Sequence, residues 1–230
     1  SAHIGMVFDD PEAQLIFTSV EEEILSALER RGFSAEEVEL RFRTILEMTH
    51  LVSLKDRAPH TLSGGQKQRL VLATTLALTT DILILDEPTA ELDETGTTAI
   101  LEILKKLKAQ GRTILLIEHK FRKMQEIVDT LIVMEAGKIR AIGAPDDVIG
   151  DPLVQDIVIP DFKELKQNGR NAPMGAGDPV ITVNGLSHSY DRIHALIDIN
   201  LSIYSGEFIA FVGENGSGKT TMIKMLTGQT

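Results

Sequence analysis

Gly213-Glu214-Asn215-Gly216-Ser217-Gly218-Lys219-Thr220 follows the apolar run Phe208–Val212 and precedes a stretch that reads as a helix from Lys219. The octet matches G-x-x-x-x-G-K-[ST] in the strand–loop–helix setting that gives the pattern its meaning. Glycines are needed because a side chain would hold the backbone away from phosphate groups. The freed N–H groups and the helix N-terminus then face the anion. In this reading Gly213, Asn215, Gly216, Ser217, Gly218 and Thr221 line a cradle, and Lys219 sits on the β- and γ-phosphates of a nucleotide. Thr220 supplies its hydroxyl to Mg²⁺. A phosphate loop of this kind implies an α/β fold with a mostly parallel sheet.

The loop stands near the end of the chain, and three further motifs precede it. Leu62-Ser63-Gly64-Gly65-Gln66 puts a hydroxyl and two bare backbone units at the start of a helix, another anion-facing terminus. Taken alone, Ser63 also fits a plain N-cap followed by two turn glycines. Asp86 and Glu87 end the apolar run Ile82–Leu85, where a carboxylate pair is costly unless it serves a metal or a reaction. Asp86 suits Mg²⁺ and Glu87 suits polarising an attacking water, with helix capping as the plainer alternative for Asp86. His119 follows the strand-like Thr113–Ile117. A lone histidine there is more often structural, but its position also fits a sensor of the γ-phosphate.

Hydrophobic patterning fills in the elements between the motifs. Ile4–Phe8 reads as a short buried strand, and Ser19 with Glu22 and Ser34 with Glu37 read as capping boxes opening two helices. The second carries Val38, Phe42, Ile45 and Leu46 on one face. A third helix starts near Ser63, and Ile82–Leu85 reads as a strand buried on both faces. A helix over 94–110 ends at Gly111. Thr113–Ile117 is a strand, and Leu131–Met134 with Lys138–Ile142 form a hairpin around Glu135-Ala136-Gly137. Residues 168–179 have linker composition and span at most about 40 Å. Val180–Val183, Leu201–Ile203 and Glu207–Val212 complete the set of strands.

The chain has 230 residues, 43% hydrophobic and 25% charged, as in globular proteins. No apolar run approaches the roughly 20 residues of a membrane-spanning helix. No signal-peptide pattern opens the sequence, so membrane association is expected through a partner. The absence of cysteine excludes disulfides and thiolate metal sites and suits a reducing cytoplasm. A net charge of −11 weighs against nucleic acid as a partner.

Together these motifs resemble those of ATP-binding cassette (ABC) ATPases over nearly the whole chain. By that resemblance the fold is of the P-loop NTPase, ABC ATPase type, with a helical signature subdomain. Leu62–Gln66 matches the signature motif, and Ser63, Gly64, Gly65 and Gln66 are expected to contact ATP. Ile82–Glu87 matches the Walker B strand, making Asp86, Glu87 and His119 the expected catalytic residues. Ala90–Asp93 matches the D-loop, with Asp93 at the nucleotide. Tyr190 falls where the family stacks an aromatic on adenine. Asp9 stands where the family usually has a glutamine that touches Mg²⁺, and its charge alters the surroundings of the γ-phosphate. The stretch Val7–Gln14 with Val20–Ile24 resembles the coupling region of energy-coupling-factor importers of vitamins or transition metals. ATP and Mg²⁺ are the implied cofactors. The implied partners are membrane-embedded transporter subunits and a second ABC domain or a second copy, at the inner face of the cell membrane.

The motif order inverts that of a single ABC domain, where the phosphate loop leads. A tandem protein explains it: 1–167 as the C-terminal half of one nucleotide-binding domain, 168–179 as linker, and 180–230 as the N-terminal half of the next. The lack of an internal repeat agrees, because complementary halves do not repeat. In a tandem, Lys219 and Ser63 would serve one composite site. Alternatively, Glu207–Val212 fills an empty strand position beside Ile82–Leu85, within the chain or by exchange between chains, and Glu87 and Lys219 serve one site. Two other readings remain, a soluble non-transport ABC ATPase and a fragment that binds ATP with little hydrolysis.

Overall fold

The computed structural model describes residues 4–90, 92–118, 124–151, 154, 178–190, 193–213 and 216–228. They form two compact units, Ser1–Leu107 and Lys108–Thr230.

The first unit opens with β1 (Ile4–Val7), parallel to β2 (Ile82–Asp86), with Val7 opposite Leu85. Between them lie α1 (Val20–Glu29), α2 (Ala35–Met48) and α3 (Gly64–Ala77). Val20, Ile24, Ala27 and Leu28 recur at helical spacing and are buried, so α1 turns one apolar face inward. Phe42, Ile45 and Leu46 of α2 and Leu70, Ala73 and Ala77 of α3 join the same cluster, the expected helical subdomain. Ser34 and Glu37 form the full reciprocal capping box at α2. At α1 only half of the expected box is present. Ser19 accepts from Glu22 N at 3.2 Å, while the Glu22 carboxylate turns to the Thr18 amide at 3.1 Å instead. The unit ends in α4 (Glu94–Ala109), which runs across the boundary to the second unit. Gly111, with φ +74°, follows α4 as the helix-stop pattern predicts.

The second unit is built on β3 (Thr113–Ile117), β4 (Thr130–Glu135), β5 (Lys138–Gly143) and β8 (Phe208–Val212). β8 pairs in parallel with β3 on one edge and with β4 on the other, and β4 turns back antiparallel into β5. A short helix, α5 (Pro145–Gly150), follows. β6 (Pro179–Tyr190) and β7 (Ile193–Tyr204) form a separate antiparallel ribbon. α6 (Lys219–Thr227) closes the unit.

The strand over 208–212 therefore does fill a gap between strands of the earlier segment, but not beside Ile82–Leu85. Both its edges are occupied by β3 and β4, so the expected adjacency to Leu85 is corrected. Polar contacts fix the choice. Asp129, just before β4, accepts from Phe208 N at 3.1 Å through its side chain and donates its own amide to Phe208 O at 2.8 Å. Gly206 N donates to Thr113 Oγ1 at 2.8 Å at the start of β3. Residues before and after the expected linker thus share one unit. Of that linker, 168–177 lie outside the described residues.

Candidate functional site

The phosphate loop runs from the end of β8 into α6. Two of its glycines are required by close approach. A Cβ on Gly213 would lie 2.1 Å from Met134 O, and one on Gly218 would lie 2.5 Å from Ala195 O. Gly218 also takes φ +101° as the residue that opens α6. Gly216, at φ +82°, faces open space. Lys219 is buried, and its ammonium donates to Gly213 O at 2.8 Å, folding the side chain back over the loop. The Ser217 hydroxyl is buried with no hydrogen-bond partner among the described residues. Thr220 is exposed and Thr221 half-buried. Asn215 lies outside the described residues.

Asp86 and Glu87 stand at the C-terminal end of β2 in the first unit. Asp86 is buried, whereas Glu87 is half-buried and held at φ +46°, a left-handed conformation unusual for a side chain of this size. Ser63 caps α3 through a reciprocal box: it accepts from Gln66 N at 3.4 Å, and Gln66 Oε1 accepts from Ser63 N at 3.0 Å. Its plain capping role is therefore real. Gly64 meets open space, and a Cβ on Gly65 would lie 3.6 Å from Gly96 Cα. Asp93 accepts from Gly96 N at 2.7 Å, capping α4.

Tyr190 ends β6, is 49% exposed, and stands edge-on to His188 with ring centroids 4.8 Å apart. Asp9 is exposed and accepts from Asp10 N at 3.0 Å within its own turn. His119 lies outside the described residues. No group of three or more His, Asp or Glu among the described residues is arranged to hold a metal.

The family model described as "ABC transporter" matches two stretches, residues 1–90 and 196–230, more than half of the chain. The chain belongs to the ABC transporter family. A Methanosarcina mazei protein, named by inference as an ABC transporter ATP-binding protein, is 46% identical over 99% of this chain, which covers 45% of that protein. A Methanosarcina acetivorans counterpart is 44% identical over 99% of the chain and 43% of its own length. The chain thus spans under half the length of these relatives. Among solved structures, cbiO1 from Clostridium perfringens, described as part of the ABC transporter complex cbiONQ, is 34% identical. It aligns with a TM-score of 0.60 over 66% of this chain and 61% of its own.

The fold is accordingly that of an ABC ATPase, a P-loop NTPase with a mostly parallel core, and ABC ATPase domains bind ATP. The loop fits that ligand: two glycines have no room for a side chain, a lysine is folded over the loop, and a buried hydroxyl lacks a partner. Sequence reasoning missed how the loop is held from outside. Gly137, in the β4–β5 turn, donates its amide to Ser217 O at 3.0 Å and accepts from Ile197 N at 2.8 Å through its own carbonyl. A glycine after Glu135-Ala136 is explained by the turn alone, so its sequence carries no further signal.

Proposed function

We propose that this chain is the ATP-binding and ATP-hydrolysing part of an ABC importer of the energy-coupling-factor type. Mg-ATP binds at the loop 213–221. The observation that carries this reading is the Ser217 hydroxyl, buried and unsatisfied beside a lysine that folds over the same loop. A buried polar group without a partner costs about 1–3 kcal/mol, which an incoming phosphate oxygen would relieve. Bound Mg²⁺ neutralises charge on the phosphates. Thr220 would hold it at this loop, and Asp86, with Asp9 a weaker candidate, is the proposed metal residue of the first unit. Lys219 binds the β- and γ-phosphates, Tyr190 stacks on the base, and Ser63–Gln66 with Asp93 contact the nucleotide. Glu87 orients and polarises water, and His119 senses the γ-phosphate.

The importer type is supported by the 34% identity to cbiO1 and its complex cbiONQ. By the same analogy the partners are membrane-embedded subunits and a second ABC domain, and the protein works at the inner face of the cell membrane. No described helix is long and apolar enough to cross a membrane. The inverted motif order and the coverage of under half of each Methanosarcina relative support the middle of a tandem protein.

Titration with Mg-ATP tests the reading. Saturable binding is expected in the parent chain, weakened about 10- to 150-fold in Lys219→Ala, the loss of one charge-assisted contact worth about 1.5–3 kcal/mol. Equal binding by both proteins refutes it.

A further inference from the structure

We propose that Gly137 is a positioning residue that holds the phosphate loop and strand β7 at the one separation that lets a nucleotide reach both the loop and Tyr190. The proposal rests on the nucleotide reading above. Gly137 is wedged between the two. Its N–H is bonded to Ser217 O in the loop and its carbonyl to Ile197 N in β7. On the β7 side there is no spare room, since a Cβ at Gly137 would lie 2.6 Å from Ala195 O and 2.9 Å from Ala195 C. The same carbonyl faces Gly218 from the loop, where a Cβ would lie 2.5 Å away. Two glycines from separate segments thus close on one β7 carbonyl.

β7 also bears on the base side of the site. Tyr190 pairs with Ile193, two residues before Ala195. At the rise of a strand that is about 7 Å along the ribbon. A side chain at position 137 must therefore push β7 off the loop, or the turn off β7, by about 1 Å. A ligand that must meet two fixed contacts at once loses affinity when their separation changes by that much.

The test separates the two ends of the ligand by comparing Mg-ATP with Mg-tripolyphosphate, which lacks the base. Gly137→Ala is paired with Gly111→Ala, because Gly111 has nearly the same φ, +74° against +76°, but nothing within 4 Å of a Cβ. Both variants carry the same backbone strain, so what differs between them is the contact of the added Cβ with β7. Gly137→Ala is expected to weaken Mg-ATP about tenfold or more while tripolyphosphate changes within about threefold. Gly111→Ala is expected to leave both ligands unchanged. Equal losses for the two ligands, or equal behaviour of the two variants, overturn the proposal.

A wild-type protein that binds tripolyphosphate as well as ATP sinks the reading of Tyr190 and the proposal with it. A wild type that prefers ATP, with a Gly137→Ala that keeps that preference, sinks the proposal alone. Amide exchange on the unaltered chain gives an independent check if the variant fails to fold. Mg-ATP should slow exchange at Gly137 and Ile197 along with the loop, and protection confined to 216–221 overturns the proposal.

Discussion

Glu87 is a carboxylate in a backbone conformation that disfavours it. At φ +46° it occupies the left-handed region, which costs a residue with a Cβ about 1–2 kcal/mol. Such strain persists where the surroundings impose it, and it clusters at functional positions. Glu87→Gly is therefore expected to raise the unfolding free energy by up to about 1 kcal/mol in urea titrations, because glycine removes the strain. The same variant should lose hydrolysis by roughly 10²–10⁴-fold, as should Glu87→Gln, the size of a general-base contribution. A Glu87→Gly protein that still hydrolyses ATP at the parent rate removes the residue from the catalytic group. Ser217 makes the parallel case on the binding side. Ser217→Ala deletes a buried hydroxyl without a partner, so the nucleotide-free protein should be as stable or about 1 kcal/mol more stable, while Mg-ATP binds more weakly. A variant that is less stable in the absence of nucleotide shows that the hydroxyl is already satisfied. At this scale the phosphate loop was legible because its chemistry dictates both residue type and spacing. The strain at Glu87 was not, since no side-chain pattern announces a positive φ at a residue other than glycine.

Elements were legible where burial is one-sided or complete. α1 and α2 show their inner faces at helical spacing, and β2, β3 and β8 are five-residue strands with every residue buried, apolar but for Asp86 and Thr113. The β6–β7 ribbon was read as two fragments, because its alternation breaks. Register shifts fall between Val183 and Leu186 and again near His188, and both Gly185 and Asp198 take positive φ there. Polar side chains bridge the irregular part, with Gly185 N donating to Asn200 Oδ1 at 2.8 Å and Asp198 N to Ser187 Oγ at 2.9 Å. Bulges of this kind hide a strand from a period-two reading. α5 is too short for any periodicity and was not read from the sequence, where only Pro145 and the acidic pair Asp146-Asp147 could have marked its start. The cap at α2 gives a prediction in pH. The Glu37 carboxyl is held below the ordinary 4.5 by the Ser34 amide first and the Ser34 hydroxyl second. A depressed folded value means the stabilisation is complete above the unfolded value and is lost as pH falls through the folded one. The Tm difference between wild type and Glu37→Gln should therefore be constant above about pH 5 and shift toward the variant below 4.5. A difference that does not change with pH removes the ionised cap.

On the scale of the molecule, β8 is the piece on which the second unit depends. It comes from the segment after 168–179, whereas its neighbours β3 and β4 come from the segment before, and all three are apolar along their buried lengths but for Thr113 at the start of β3. Without β8 the facing edges of β3 and β4 would offer unpaired amides and carbonyls along a hydrophobic surface, a template for association with other chains. The polar contacts of Asp129 and Thr113 with residues 206–208 would be lost as well. Their placement at the entry to β8 explains why the strand settles between β3 and β4. A purely apolar run carries no address of its own, which is why sequence reasoning found a missing strand but put it in the wrong gap. A chain cut to residues 1–167 is accordingly expected to form aggregates or higher oligomers in sedimentation. Adding residues 180–230 as a separate polypeptide should restore a soluble, cooperatively melting species. In a longer tandem parent, an equivalent strand from an upstream phosphate-loop half would occupy the same slot, and 180–230 would be released to a second domain. A 1–167 fragment that is monomeric and as stable as the whole chain would show that β3 and β4 need no strand between them, and the complementary-halves account would fall with that result.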